Sequence, residues 1–220
     1  MAKISENIKD IRCRILRACE SAKRDADGVT IVCVTKTVEP PQIMQAMDAG
    51  LNILAENRPQ ELMRKIPLVK GAQWHLIGHL QTNKVKMVAG NAALIHSVDS
   101  MHLARSVNDA CAARGICQDI LLELNISGEE SKYGLTTEQI PTIIKDIKNL
   151  PAVSFKGFMT MAPKNASPKE LEKIFGTAHE LFDTYRQDGA QVLSMGMSGD
   201  FEAAVKMGAT HVRIGSAIFK

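Results

Sequence analysis

Apolar residues in this chain follow two alternating rhythms. Short runs dense in Val, Ile and Leu recur between longer stretches whose apolar positions return every three or four residues. The first pattern marks a strand buried on both faces, the second a helix with one covered face. The runs are 30–36 (TIVCVTK), 51–55 (LNILA), 73–78 (QWHLIG), 93–98 (ALIHSV), 119–125 (DILLELN), 153–159 (VSFKGFM), 191–195 (QVLSM) and 210–214 (THVRI). Helical periods fill 41–49, 60–68, 100–114, 136–148, 168–185 and 201–207, and another helix occupies the N-terminal segment 1–27. Gly50, Gly90, Gly115, Gly189 and Gly208 fall just past helix ends, where a left-handed cap favours glycine.

Strands alternating with helices predict an α/β fold with a parallel sheet. The first strand-to-helix turn, TKTVEPPQ, carries no glycine-rich dinucleotide fingerprint, which argues against an open Rossmann sheet. The expected architecture is a single (β/α)8 TIM-type barrel over residues 1–220, near the lower size limit for that fold. Only SAIFK follows the last strand. The N-terminal helix is therefore expected to cover the flank left bare by a missing final helix.

Parallel barrels place chemistry at the C-terminal ends of their strands. Those ends read Lys36, Glu56–Asn57, His79, Asp99, Asn125, Met159, Met195–Ser198 and Arg213–Ser216: polar groups at the exits of apolar strands. Lys36 ends an apolar strand. There its stem is expected among hydrophobic groups, and desolvation favours the neutral, nucleophilic amine. In LSMGMSGDFEAA a glycine- and serine-containing turn leads into a helix, and in VRIGSAIF Gly215 and Ser216 occupy the next exit. Backbone N–H groups and the Ser198 hydroxyl at such turns suit an anion. Barrels often hold phosphate between the loops after strands seven and eight. His79 stands where it can touch a ligand, and His75 reads as a core histidine. As a metal pair these two would lie about 13 Å apart on a strand, too far to share an ion. The loop SGEESKYG, with Lys132, reads as a lid or as a solvated surface loop. The pairs Met159/Met161 and Met195/Met197 suit core filling or soft packing against a flat ring.

Bulk composition narrows the classes. The 220 residues carry 27 Lys+Arg against 24 Asp+Glu without a basic block, and aromatics make up 4%, so nucleic acid is not expected. No apolar run nears the ~20 residues needed to cross a bilayer, and the N-terminus lacks the apolar segment of a secretory signal. Five cysteines, an odd number with no CxxC, predict reduced thiols in a cytoplasmic protein and no zinc site.

The motifs VTKT (34–37), AENRPQE (55–61), WHLIGHLQTNK (74–84), IHSVDS (95–100), LSMGMSGD (193–200) and VRIGSAIF (212–219) together resemble the YggS-type pyridoxal-phosphate homeostasis proteins. These are single-domain relatives of the alanine racemase barrel, and the resemblance spans essentially the whole chain. It implies pyridoxal 5′-phosphate as cofactor, held as a Schiff base on Lys36. It also implies Asn57 near the ring, Ser198, Gly215 and Ser216 at the phosphate, and Arg213 facing the pyridine nitrogen. His79 and Met195 complete the expected cofactor-binding set, with no catalytic residue and no metal. An arginine there keeps the ring nitrogen unprotonated and weakens the ring as an electron sink. Ala55 and Pro59 depart from the family pattern, which commonly has glycine before the EN pair.

Three functions are weighed. The first is a non-catalytic, monomeric carrier or buffer of pyridoxal phosphate in vitamin B6 homeostasis, passing cofactor to apo-enzymes that use it. The second, an amino-acid racemase, needs a second base opposite the lysine, and only Tyr133 and Tyr185 are available as tyrosines. The third is a sugar-phosphate barrel enzyme using Lys36 for an imine.

Overall fold

The computed structural model describes residues 2–129 and 133–220. Eight parallel strands close in sequence order, β1-β2-β3-β4-β5-β6-β7-β8, with β8 pairing back to β1. The strands are β1 (Thr30–Val34), β2 (Ile53–Glu56), β3 (Gln73–Leu76), β4 (Leu94–Val98), β5 (Gln118–Leu124), β6 (Val153–Thr160), β7 (Val192–Ser194) and β8 (His211–Ile214). All eight expected runs hold strands, most of them trimmed at the ends, while β5 begins one residue earlier at Gln118 and β6 runs one residue further to Thr160.

Around them lie α1 (Ala2–Ser21), α2 (Pro40–Asp48), α3 (Pro59–Lys65), α4 (Val85–Val88), α5 (Met101–Ala112), α6 (Ile140–Ile147), α7 (Pro168–Thr184), α8 (Phe201–Lys206) and α9 (Ser216–Phe219). Local signals explain their starts. Proline fills the first turn of α2, α3 and α7, where its missing N–H costs nothing. Pro59, the departure at the second strand exit, is thus the first residue of a helix. Ser167 and Glu170 cap α7 reciprocally, and Ser100 Oγ accepts from the Leu103 N–H to start α5. The five expected capping glycines all have positive φ.

Three points differ from expectation. Residues 82–84 and α4 form a short helical turn that the apolar period did not reveal, because a single turn carries no period. Nor is the final helix missing: SAIF is itself one turn, α9. The N-terminal helix ends at Ser21, short of residue 27, and lies against both α8 and α9. Its Ile8, Ile11, Ile15, Ala18 and Cys19 are buried at three- and four-residue spacing. Asn7 Nδ2 donates to the Ile218 carbonyl (2.9 Å), and Arg14 pairs with Glu202 (2.8 Å).

The hydrophobic core divides in two. One large cluster fills the layer between strands and helices. A small inner cluster of Leu94, Leu121 and Met159, with Val192 packed on it, plugs the barrel itself. Strand alternation then assigns faces: Leu121 points in, Leu122 and Leu124 out, so Glu123 points in. By the same count His75, His96, Ser194, His211 and Arg213 face the interior.

Candidate ligand site at the mouth of the barrel

Above the apolar plug the interior is polar. Arg213 is 3% exposed. Its Nη1 donates to the Ser194 carbonyl (2.8 Å) and Ser194 Oγ (2.7 Å), and its Nη2 donates to the Thr160 carbonyl (3.0 Å). A guanidinium has five N–H donors, so among the described residues two remain unspent. Ser194 Oγ also lies 3.0 Å from His96 Nδ1, and His96 Nε2 lies 3.0 Å from His75 Nδ1. Arginine can only donate. One arrangement that satisfies every donor sends the serine proton to His96 Nδ1 and the His96 Nε2 proton to His75. Burial holds these histidines neutral. His75 is pushed down to about 3 by burial and then by His211; His96 falls well below its usual value, chiefly through burial; His211 falls to about 4. Burial lowers Arg213 to about 10 against the pull of Asp200 and Glu123, so it stays charged at neutral pH.

Glu123 faces the same space and is 6% exposed. Burial, then repulsion from Asp99, raises its carboxyl to about 7, with Arg213 opposing. No hydrogen-bond partner for it occurs among the described residues.

Lys36 follows β1 through Thr35 and is exposed. This corrects the expectation that its stem lies among hydrophobic groups. What is buried is the bracket beneath it. Thr35 Oγ1 donates to Glu56 Oε1 (2.6 Å), while Lys65 Nζ of α3 donates to the same oxygen (2.6 Å) and to the Thr35 carbonyl (2.8 Å). Glu56 therefore faces outward and is not a mouth residue, although it ends a strand. Asn57, the next residue, carries a buried Oδ1 with no partner among the described residues. Its backbone runs so close to Gly78 that a Cβ there would lie 2.1 Å from the Asn57 carbonyl oxygen. Beside it, a cleft of about 490 Å³ is lined by Asn57, Arg58, Gln60, His79, Gln81 and Lys84, among others. His79 Nδ1 lies 3.1 Å from Asp99 Oδ2, and the His79 ring stacks on Tyr133 at 3.7 Å and 14°. Lys132 lies outside the described residues.

At the other side of β1, the loops after β7 and β8 meet. Ser198 Oγ accepts from the Ala217 N–H (3.3 Å), and Asp200 Oδ1 accepts from the Met197 N–H (2.5 Å). Cys33 pairs with Ile214, which places Gly215 beside Val34; a Cβ on Gly215 would lie 2.9 Å from the Val34 carbonyl oxygen. Ser216 is exposed at the start of α9. Ser198, Gly215 and Ser216 are thus brought to the strand exit that carries Lys36. Met195 is not at the mouth. Alternation turns it outward, opposite to Ser194, and it is wholly buried in the helix-facing core.

The chain matches, over residues 1–220, the family described as alanine racemase, N-terminal domain. It is 38% identical to the pyridoxal phosphate homeostasis protein of Aquifex aeolicus, across 97% of this chain and 96% of that protein. The chain belongs to the pyridoxal phosphate homeostasis protein family. Another member, from Pseudomonas aeruginosa, is 35% identical over 100% of the chain and 96% of its own length. Among solved structures, PipY of Synechococcus elongatus with pyridoxal phosphate bound superposes with a TM-score of 0.84 at 27% identity, covering 99% of this chain and 100% of that one. Alanine racemase of Clostridium difficile shares the fold, with a TM-score of 0.77 at 14% identity over 96% of this chain and 56% of that one.

Sequence inspection put Lys36, Asn57, His79 and the two glycine–serine turns at strand exits, and the structure has them there too. It missed Glu123, His96 and Ser194. The available signal was a lone polar side chain on the inward register of an otherwise apolar strand, as in LLELN and LIHSV. Lys65 and Glu56 gave no such sign, since their pairing is made only when α3 docks.

Proposed function

We propose that this chain binds pyridoxal 5′-phosphate at the barrel mouth, anchored as a Schiff base on Lys36, and serves vitamin B6 homeostasis by holding and releasing it. The observation that carries the reading is Arg213: a buried cation with two unspent donors, beside the strand exit where Lys36 and the Ser198 and Gly215–Ser216 turns converge. The residues present fit the group. Asn57 Oδ1 has no partner among the described residues, and Gly215, held without a Cβ against the Val34 carbonyl, brings its backbone to the same exit as Ser198. Ser198, Gly215 and Ser216 bind the phosphate, and Lys36 anchors the aldehyde. Bound there, the cofactor supplies an aldehyde that condenses with amines and a ring that withdraws electrons from the adduct.

Arg213 limits that withdrawal. It presents N–H donors and remains protonated at neutral pH, so a ring nitrogen facing it accepts a hydrogen bond and gains no proton. Ser194 and the Thr160 carbonyl hold the guanidinium in place. Racemization through a tyrosine base would need one across from Lys36, and neither tyrosine serves. Tyr133 is 59% exposed and stacked on His79, while Tyr185 packs edge-on against Phe158 at 5.9 Å in the helix layer. A carrier passing cofactor to apo-enzymes fits these residues better than a racemase does.

The test is an absorbance spectrum with added pyridoxal phosphate, before and after borohydride, for wild type and Lys36→Ala. A yellow band that borohydride removes, leaving the ring mass on the Lys36 peptide and absent in the variant, is expected. Transfer to an apo-enzyme without net amino-acid turnover completes the case. A colourless wild type that gains no mass refutes it.

A further inference from the structure

Glu123 is the interior charge that the carrier function leaves unused. The residue is 6% exposed on the inward face of β5, and its carboxyl makes no hydrogen bond among the described residues. A buried carboxylate without a partner is costly to keep. Every other inward polar side chain of the middle layer, from Arg213 through Ser194 and His96 to His75, has one.

The unspent groups describe the ligand. Arg213 offers donors, which suit the acceptors of a phosphorylated pyridine. Glu123 offers acceptors, and the free aldehyde has no cationic donor to meet them. In a closed barrel of eight strands β5 lies opposite β1, so Glu123 reaches inward from the wall facing Lys36.

We propose that the same mouth also takes the amine form of the cofactor, a phosphorylated pyridine bearing a primary ammonium in place of the aldehyde, with Glu123 accepting from that ammonium. The proposal rests on the pyridoxal-phosphate reading above and deepens it: the barrel holds one vitamer through Lys36 and another through Glu123. No bond is made or broken in the second mode. The charged groups facing Glu123 are Asp99 at the exit of β4 and Arg213 on β8; from β6 it meets Met159, and His96 on β4 is neutral. Glu123 loses its proton near neutral pH, so amine binding tightens as pH rises through that range, whereas the Lys36-anchored aldehyde does not depend on this carboxylate.

Pyridoxamine 5′-phosphate and pyridoxine 5′-phosphate, which differ at this position only as amine against alcohol, are titrated calorimetrically into wild type and Glu123→Gln between pH 6.5 and 8. Wild type is expected to prefer the amine by roughly tenfold at pH 8 and less at pH 6.5, the value of one charge-assisted hydrogen bond. Glu123→Gln is expected to lose both the preference and its pH dependence, while its yellow band with pyridoxal phosphate persists. Equal affinity for amine and alcohol in the wild type overturns the proposal, whatever the variant does. A preference that survives Glu123→Gln overturns it too. If wild type takes up neither pyridoxal phosphate nor the amine, the carrier reading itself has failed.

Discussion

Replacing Glu123 by Gln in the ligand-free protein should stabilise the fold at alkaline pH and leave it nearly unchanged in mild acid. The folded chain keeps the Glu123 proton to about 7, while the usual value is 4.5. Between those values the folded state binds more protons than the unfolded one, so stability falls as pH rises. At about 1.4 kcal/mol per pH unit, ionisation costs the folded state roughly 3 kcal/mol by pH 8 and under ~1 kcal/mol at pH 5. Attraction to Arg213 and repulsion from Asp99 are already contained in that value. Glutamine keeps the shape without the charge, so it escapes the cost. Urea unfolding of both proteins at pH 5 and pH 8 measures the gap. It should open with pH in favour of the variant. A gap independent of pH, or a variant less stable at pH 8, would mean that Glu123 is already paired in the free protein, and the reasoning behind the amine site would fall with it.

Three other changes probe the frame. Lys65→Met strands the Glu56 carboxylate in the helix–strand layer and should cost about 3–5 kcal/mol in urea unfolding; Lys65→Met with Glu56→Leu should recover most of it, and a double variant no better than the single would refute the pairing. Gly78→Ala drives a methyl into the Asn57 backbone, so its Tm should fall and its uptake of pyridoxal phosphate should weaken, and a variant that matches wild type in both would show that this close approach is dispensable. His96→Leu leaves the Ser194 hydroxyl and His75 Nδ1 without their partner and should cost about 2–4 kcal/mol by urea unfolding, and a loss under about 0.5 kcal/mol would show that water replaces the histidine.

The barrel was legible because its strands are largely buried on both faces, and the apolar stretch 120–122 in β5 declares that burial residue by residue. Where an element is only a turn long, as in α4 and α9, there is no period to read. Lys36 and the glycine–serine turns announce themselves as polar exits from apolar strands. The orientation of each exit is a finer matter. Met195 and Ser194 differ by one position, and that step sends one to the core and the other to the mouth. The chain from Arg213 to His75 joins β8, β7, β4 and β3, with Ser194 and His96 98 residues apart, so no local pattern could expose it. Burial of Lys36 was expected from its apolar strand, yet its exposure is set by where β1 stops, two residues earlier.

The pairing of β1 with β8, and of α1 with α8 and α9, has a consequence for how the protein is made. Until β8 leaves the ribosome, β1 is an open sheet edge and the apolar stripe of α1 lacks its seat. Roughly 180 residues separate the two strands, which at about 5–20 residues per second is on the order of 10–40 s of translation. Throughout that interval the nascent chain displays an unpaired strand and the Ile8, Ile11 and Ile15 face, the features that recruit chaperones or neighbouring chains. Synthesis that stalls before β8 emerges would leave a seven-stranded open ring with an adhesive edge, so the hazard of this architecture is concentrated in the interval between its seventh and eighth strands.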